Sequence, residues 1–173
     1  MLPDELEPFI ESAKALGGAD AKIIPADSIV VADWTRLKCQ YGCDGYGSSL
    51  TCPPNSPTPE LTRKVISNYT WAILVQQLGG HDDDLTLTHD IAYKLEREIF
   101  LAGYHAAFGL AGGPCPYCKK CNLKACIHTD MARPAMESMG IDVYTTARNA
   151  GFEISVVTSH RDKPVYYALV LIS

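Results

Sequence analysis

No run of apolar residues in the chain approaches the ~18 needed to cross a bilayer, and no signal-peptide pattern opens it. Excess positive charge is missing as well: 15 Lys and Arg stand against 20 Asp and Glu, a net charge of -5 at pH 7. That balance argues against nucleic acid as a partner. There is no basic amphipathic stretch, internal repeat or low-complexity tract, so neither a membrane surface nor a repeat scaffold is expected. Disulfide staples are not required, because a chain of 173 residues is expected to fold as a single domain, 1–173, that buries a sizeable core without them. The seven cysteines are also an odd number. Together these absences point to a cytoplasmic, reducing setting in which clustered cysteines read as metal ligands.

What the sequence does have is concentrated in Cys115-Pro116-Tyr117-Cys118-Lys119-Lys120-Cys121-Asn122-Leu123-Lys124-Ala125-Cys126. Three thiols two residues apart can satisfy three corners of a cubane from one short loop, which points to a [4Fe-4S] cluster, and Lys119, Lys120 and Lys124 could offset its negative charge. In bacterial ferredoxin-type runs the fourth cysteine follows after three residues and precedes Pro; Cys126 follows after four and lacks the Pro, so it is the least secure ligand. Zinc is the alternative cofactor, but structural zinc usually takes two separated pairs, and a zinc-stapled interaction module would waste a third closely spaced thiol.

A looser group, Cys39, Cys43 and Cys52-Pro53-Pro54, lies among glycines that allow close backbone approach. The seven thiols can therefore divide as four plus three, giving one or two clusters. An iron left with three thiolates would be open to a small anionic or thiol substrate, the enzyme reading. If His128, beside Cys126, fills the eighth position, a closed electron carrier with a redox partner protein is expected instead. The third disposition is one cluster plus a structural site. His81, His89, His105 and His160 have no neighbours at ligand spacing and are expected on the surface or in packing. Arg133 and Glu137, at i and i+4, are expected to pair on one helix face, the alternative being an anion site at Arg133. Met136 and Met139 are expected to pack around the cluster.

Along the chain, Glu5 to Leu16 reads as an amphipathic helix stopped at Gly17-Gly18, and Ala21 to Ile24 and Ser28 to Val31 as strand pieces. Arg36 to Pro59 reads as an ordered loop. Thr58 and Pro59 open a second helix with Leu61, Val65, Ile66 and Tyr69 inward. Trp71 to Leu78 is a strand, Leu87 to Ala102 a helix preceded by Asp82-Asp83-Asp84, and His105 to Leu110 a further strand, together a crossover unit of a partly parallel sheet. Short helices after Pro134 and Asp142 precede strands at Glu153 to Thr158 and Tyr166 to Ile172, joined as a hairpin. The expected fold class is α+β, a mixed sheet of about four or five strands with helices packed on one face and cysteine-rich loops carrying metal centres.

At Lys38-Cys39-Gln40-Tyr41-Gly42-Cys43, Thr51-Cys52-Pro53-Pro54-Asn55-Ser56-Pro57, Gly113-Pro114-Cys115-Pro116-Tyr117-Cys118 and Arg133-Pro134-Ala135-Met136-Glu137 the sequence resembles a prokaryotic family of predicted metal-binding proteins of unknown function. The likeness runs from about Lys38 to the C-terminus. It implies that all seven cysteines belong to one pattern, and it implies no reaction.

Overall fold

The computed structural model describes residues 3–79, 85–159 and 161–173; Asp82-Asp83-Asp84, His81 and His160 lie outside the described residues. Trp71–Leu78 forms a strand with the expected bounds, here β2; β1 is Asp20–Pro25, β3 is Phe108–Leu110 and β4 is Val165–Ile172. They make one sheet in the order β1-β2-β4-β3. Side chains alternate between its faces. Ile73 and Val75 of β2 and Ala168, Val170 and Ile172 of β4 pack against Phe9, Ile10 and Ala13 of α1 (Glu7–Ala15) and Ile91, Leu95 and Ile99 of α4 (Thr86–Leu101). Ala72, Leu74, Leu169 and Leu171 point the other way, toward Ile66 of α3 (Pro59–Ile66), Met136, Met139, and Val143 and Ala147 of α5 (Val143–Asn149). Because both faces are covered, rather than one, the two central strands read as unbroken apolar runs.

The α+β class holds, with differences in pairing. Every named strand pair is antiparallel. The crossover through α4 is present, since β2 and β3 both run antiparallel to β4 and hence parallel to each other, but β4 is inserted between them. The stretch 153–158 is extended, mostly exposed and unpaired, so there is no terminal hairpin. Ser28 to Val31 is likewise not a strand: a 3-10 turn, Ala26–Ser28, is followed by a single bridge from Val31 to Ile141.

Local chemistry sets the helix ends. The Thr58 hydroxyl accepts from Leu61 N at 3.3 Å and the Asp142 carboxylate from Thr145 N at 3.0 Å, capping α3 and α5. On α3 the inner face is Pro59, Thr62 and Ile66, whereas Leu61 is exposed. After Pro134 the expected helix shrinks to a 3-10 turn, Glu137–Met139, which Gly140 ends at φ +89°; a Cβ there would stand 2.8 Å from Pro59 Cγ.

Candidate metal centre

Cys39 is not on a loop. Trp34–Gly42 forms a helix, α2, that carries Cys39 in its last turns and Cys43 just past its end. The chain then folds back so that Cys52 faces them. Its own hydrogen bonds fix this return: Gly47 N donates to Pro53 O at 2.7 Å, Asn55 Nδ2 to Ser49 O at 2.9 Å, and Ser56 Oγ to Ser138 O at 2.7 Å. Arg36 donates to the Ser56 and Pro57 carbonyls, locking α2 to the far end of the loop. Cys39, Cys43 and Cys52 thereby line one cavity of about 120 Å³, closed opposite by Pro114, Ala135, Glu137 and Ser138.

Cys115, Cys118, Cys121 and Cys126 line a second cavity, of about 220 Å³, together with His128 and Lys119. Lys120 borders it too, whereas Lys124 is exposed elsewhere. Gly113 leads into this loop at φ +72°, and a Cβ on it would stand 2.5 Å from Leu85 Cδ1. Tyr117 turns away from the thiols and clamps the loop onto α4: its hydroxyl donates to Asp90 Oδ1 at 3.1 Å and its ring packs edge-on against His89 and Tyr93. His128 tilts against the other side of that ring, and its backbone N–H donates to Cys126 Sγ at 3.4 Å.

The two cavities are neighbours, sharing Pro114, and Ser48 to Thr51 of the first loop wall the second. Neighbouring thiols oppose the ionisation of Cys39 and of Cys115. Burial pushes the Cys39 thiol up most strongly; Arg36 opposes this, and Cys43, Glu137 and Cys52 add to the rise. Burial likewise raises Cys115, a backbone N–H from Tyr117 partly offsets it, and Cys126, Cys118 and Cys121 raise it further. A bound cation removes this repulsion, because it replaces the protons that otherwise keep the thiols neutral.

Residues 22–172 match a family model described as predicted metal-binding protein (DUF2284). The chain belongs to that family. Its match begins ahead of Lys38 and takes in both cysteine groups and all four strands except the first residues of β1. No curated protein and no solved structure matches the chain. The DUF2284 description gives metal binding without a metal or a reaction. Among the described residues no three His, Cys, Asp or Glu side chains are drawn tightly enough together to hold a single metal ion. No helix among them is long and apolar enough to cross a membrane.

Several expectations are corrected by this geometry. Arg133 pairs with Glu96 of α4, Nε to Oε2 at 2.5 Å and Nη2 to Oε1 at 2.6 Å, and not with Glu137, because residues 133–136 are not helical and the i,i+4 rule does not apply. A guanidinium so engaged is not free to bind an anionic substrate. Met136 and Met139 pack in the second core, not around the thiols. His128 borders the four-thiol cavity and not the three-thiol one. His105 is exposed and His89 fully buried, as surface and packing residues. Glu137, read from the sequence as an ion-pair partner, is instead a wall of the three-thiol cavity. The available signal was an acid set between Ala135-Met136 and Ser138-Met139, in an otherwise small and apolar run.

His89 makes the stability of this region sensitive to pH. Its Nε2 lies 3.3 Å from Gly113 O, a carbonyl that can only accept, so Nε2 carries the proton, and Nδ1 has no partner among the described residues. Burial lowers the pKa of this imidazole below its ordinary value. The unfolded chain therefore takes up a proton near pH 6.5 that the folded chain refuses, and stability falls as pH drops below ~6.5, by up to ~1.4 kcal/mol per pH unit. Thermal midpoints of the parent and of His89→Leu, measured without oxygen from pH 7.5 to 5.5, check this. The parent is expected to lose more than the variant over that interval, and parallel losses would contradict the assignment.

Proposed function

We propose that the chain holds two iron–sulfur centres, with Cys115, Cys118, Cys121 and Cys126 on a [4Fe-4S] cluster and Cys39, Cys43 and Cys52 on a second, and that it works in redox or sulfur chemistry. The observation that carries this reading is the division of all seven thiols between two adjoining cavities of four and three. A tetrahedral zinc with ~2.3 Å bonds needs its sulfurs about 3.8 Å apart. A polynuclear centre takes thiolates from separate metal corners, so it can use four thiols spread around one cavity. Such a centre, when bound, accepts and passes one electron at a time.

The chain's own residues set the environment. Lys119 and Lys120 place positive charge at the four-thiol cavity, where it favours added electrons. Its loop is largely exposed from Lys119 to Ala125, with Cys121 half-buried, and presents this centre to a redox partner; in the other group Cys52 is buried, Cys39 half-buried and Cys43 exposed. Cys115, Cys118, Cys121 and Cys126 would thus hold the centre nearer the partner, and Cys39, Cys43 and Cys52 the one beside it. Asp90, by holding Tyr117, fixes the loop in this position.

Two centres on either side of one proline must interact magnetically. Electron paramagnetic resonance of the protein fully reduced by dithionite is expected to give a broad, split spectrum that simplifies at partial reduction. A spectrum that is the plain sum of two independent centres, or of one alone at full iron loading, would contradict the arrangement.

A further inference from the structure

We propose that Glu137 supplies the fourth ligand, an oxygen, to the three-cysteine centre. This rests on the two-centre reading above and concerns the position that seven cysteines leave unfilled. Glu137 lines the cavity shared by Cys39, Cys43 and Cys52. Its backbone is fastened to the cysteine loop through the neighbouring residue, because Ser138 O accepts from Ser56 Oγ at 2.7 Å while Ser138 Oγ donates to Ala135 O at 2.8 Å. The turn that carries Glu137 is thereby held against the cysteine loop.

Among the described residues the carboxylate makes no salt bridge. Arg133 is bound to Glu96, and Arg36 is occupied with the Ser56 and Pro57 carbonyls. Glu137 is an exposed residue that borders two cavities. A metal ion at the three thiols would supply a positive partner for it. His128, the other candidate for this position, borders the four-thiol cavity instead.

Glu137 further borders a separate cavity of about 220 Å³ lined by Tyr144, Ser155, Val157 and Tyr167. It thus stands between that space and the three thiols. A carboxylate is a harder ligand than a thiolate and is held less tightly by iron in a sulfur environment. The position is therefore the one at which a small molecule entering from the second cavity would compete for the metal.

Glu137→Gln and Glu137→Cys, purified without oxygen beside the parent, test the assignment. The glutamine variant is expected to keep the four-thiol centre and lose the other, so that iron and sulfide fall to roughly half. The cysteine variant is expected to restore the parent's content with a changed paramagnetic spectrum. If the parent holds two centres and the glutamine variant matches it in iron, sulfide and spectrum, the inference is overturned and the two-centre reading stands. Loss of both centres together in the glutamine variant also overturns it, since that marks a folding defect and not a missing ligand. A parent without iron overturns the reading and the inference alike.

Discussion

Cys52→Ala protein, purified without oxygen, is expected to carry about four iron and four sulfide per chain where the parent carries about eight of each. The expectation follows from where Cys52 sits. It is the buried member of the three-thiol group, and the other two thiols reach the same cavity from α2 and the residue after it. Its loop does not depend on the sulfur for its shape: Asn55 N donates to Cys52 O at 2.9 Å, Ser56 N to the same oxygen at 3.1 Å, and Gly47 N to Pro53 O at 2.7 Å. Alanine keeps all of these backbone bonds, so the deletion removes a ligand and leaves the wall of the four-thiol cavity in place. The remaining iron should show the spectrum of one isolated centre. Unchanged iron would exclude Cys52 as a necessary ligand. Complete loss would mark a folding defect and contradict the separate holding of the two centres.

The largest effect on stability is expected at Arg133. Its guanidinium grips Glu96 with two nitrogens, both side chains are mostly buried at 12% and 15% exposure, and Nη1 donates to Ala132 O at 2.9 Å. Glu96 in turn accepts from Gly109 N at 2.7 Å, which ties α4 to β3. The pair thus joins helix, edge strand and the segment leaving the cysteine loop. Arg133→Leu strands a buried carboxylate, at a cost of about 3–5 kcal/mol. For a chain of this size that corresponds to a thermal midpoint lower by about 10 °C. The double variant Arg133→Leu, Glu96→Leu removes both charges and should recover part of the loss, short of the parent because Gly109 N loses its acceptor. A double variant no more stable than the single one would show that the cost is lost packing, not an unpaired charge. Iron should also leave Arg133→Leu faster in the presence of a chelator, because the loop's return is no longer held.

Where local chemistry decides the structure, the sequence shows it. The four-turn stripe of α4, the Thr58 and Asp142 caps, the Gly140 stop and the strand β2 all depend on neighbours within a few residues. The placement of β4 between β2 and β3 depends on which apolar faces meet across the sheet, and no local pattern encodes that. The run from Glu153 to Thr158 has the residues of a strand but cannot form a hairpin with β4, since β4 is already bordered on both sides by β2 and β3. Helix α2 is hidden for another reason. Trp34, Leu37 and Tyr41 stand at helical spacing, but they face solvent, and the glycines and prolines that begin at Gly42 obscure the short periodic segment before them.

The site divides in the same way. Thiol spacing was enough to group Cys115 to Cys126 apart from Cys39 to Cys52, because each group is brought together by its own loop. Which non-cysteine residue faces which group is a matter of tertiary placement. His128 adjoins the four-thiol loop in sequence and borders its cavity, whereas Glu137 reaches the three-thiol cavity across 85 positions from Cys52.

Iron, acid-labile sulfide and zinc, counted per chain on protein purified without oxygen, test the central claim most directly. About eight iron and eight sulfide, with negligible zinc, is the result the two-centre account predicts. Near-stoichiometric zinc with negligible iron would contradict it.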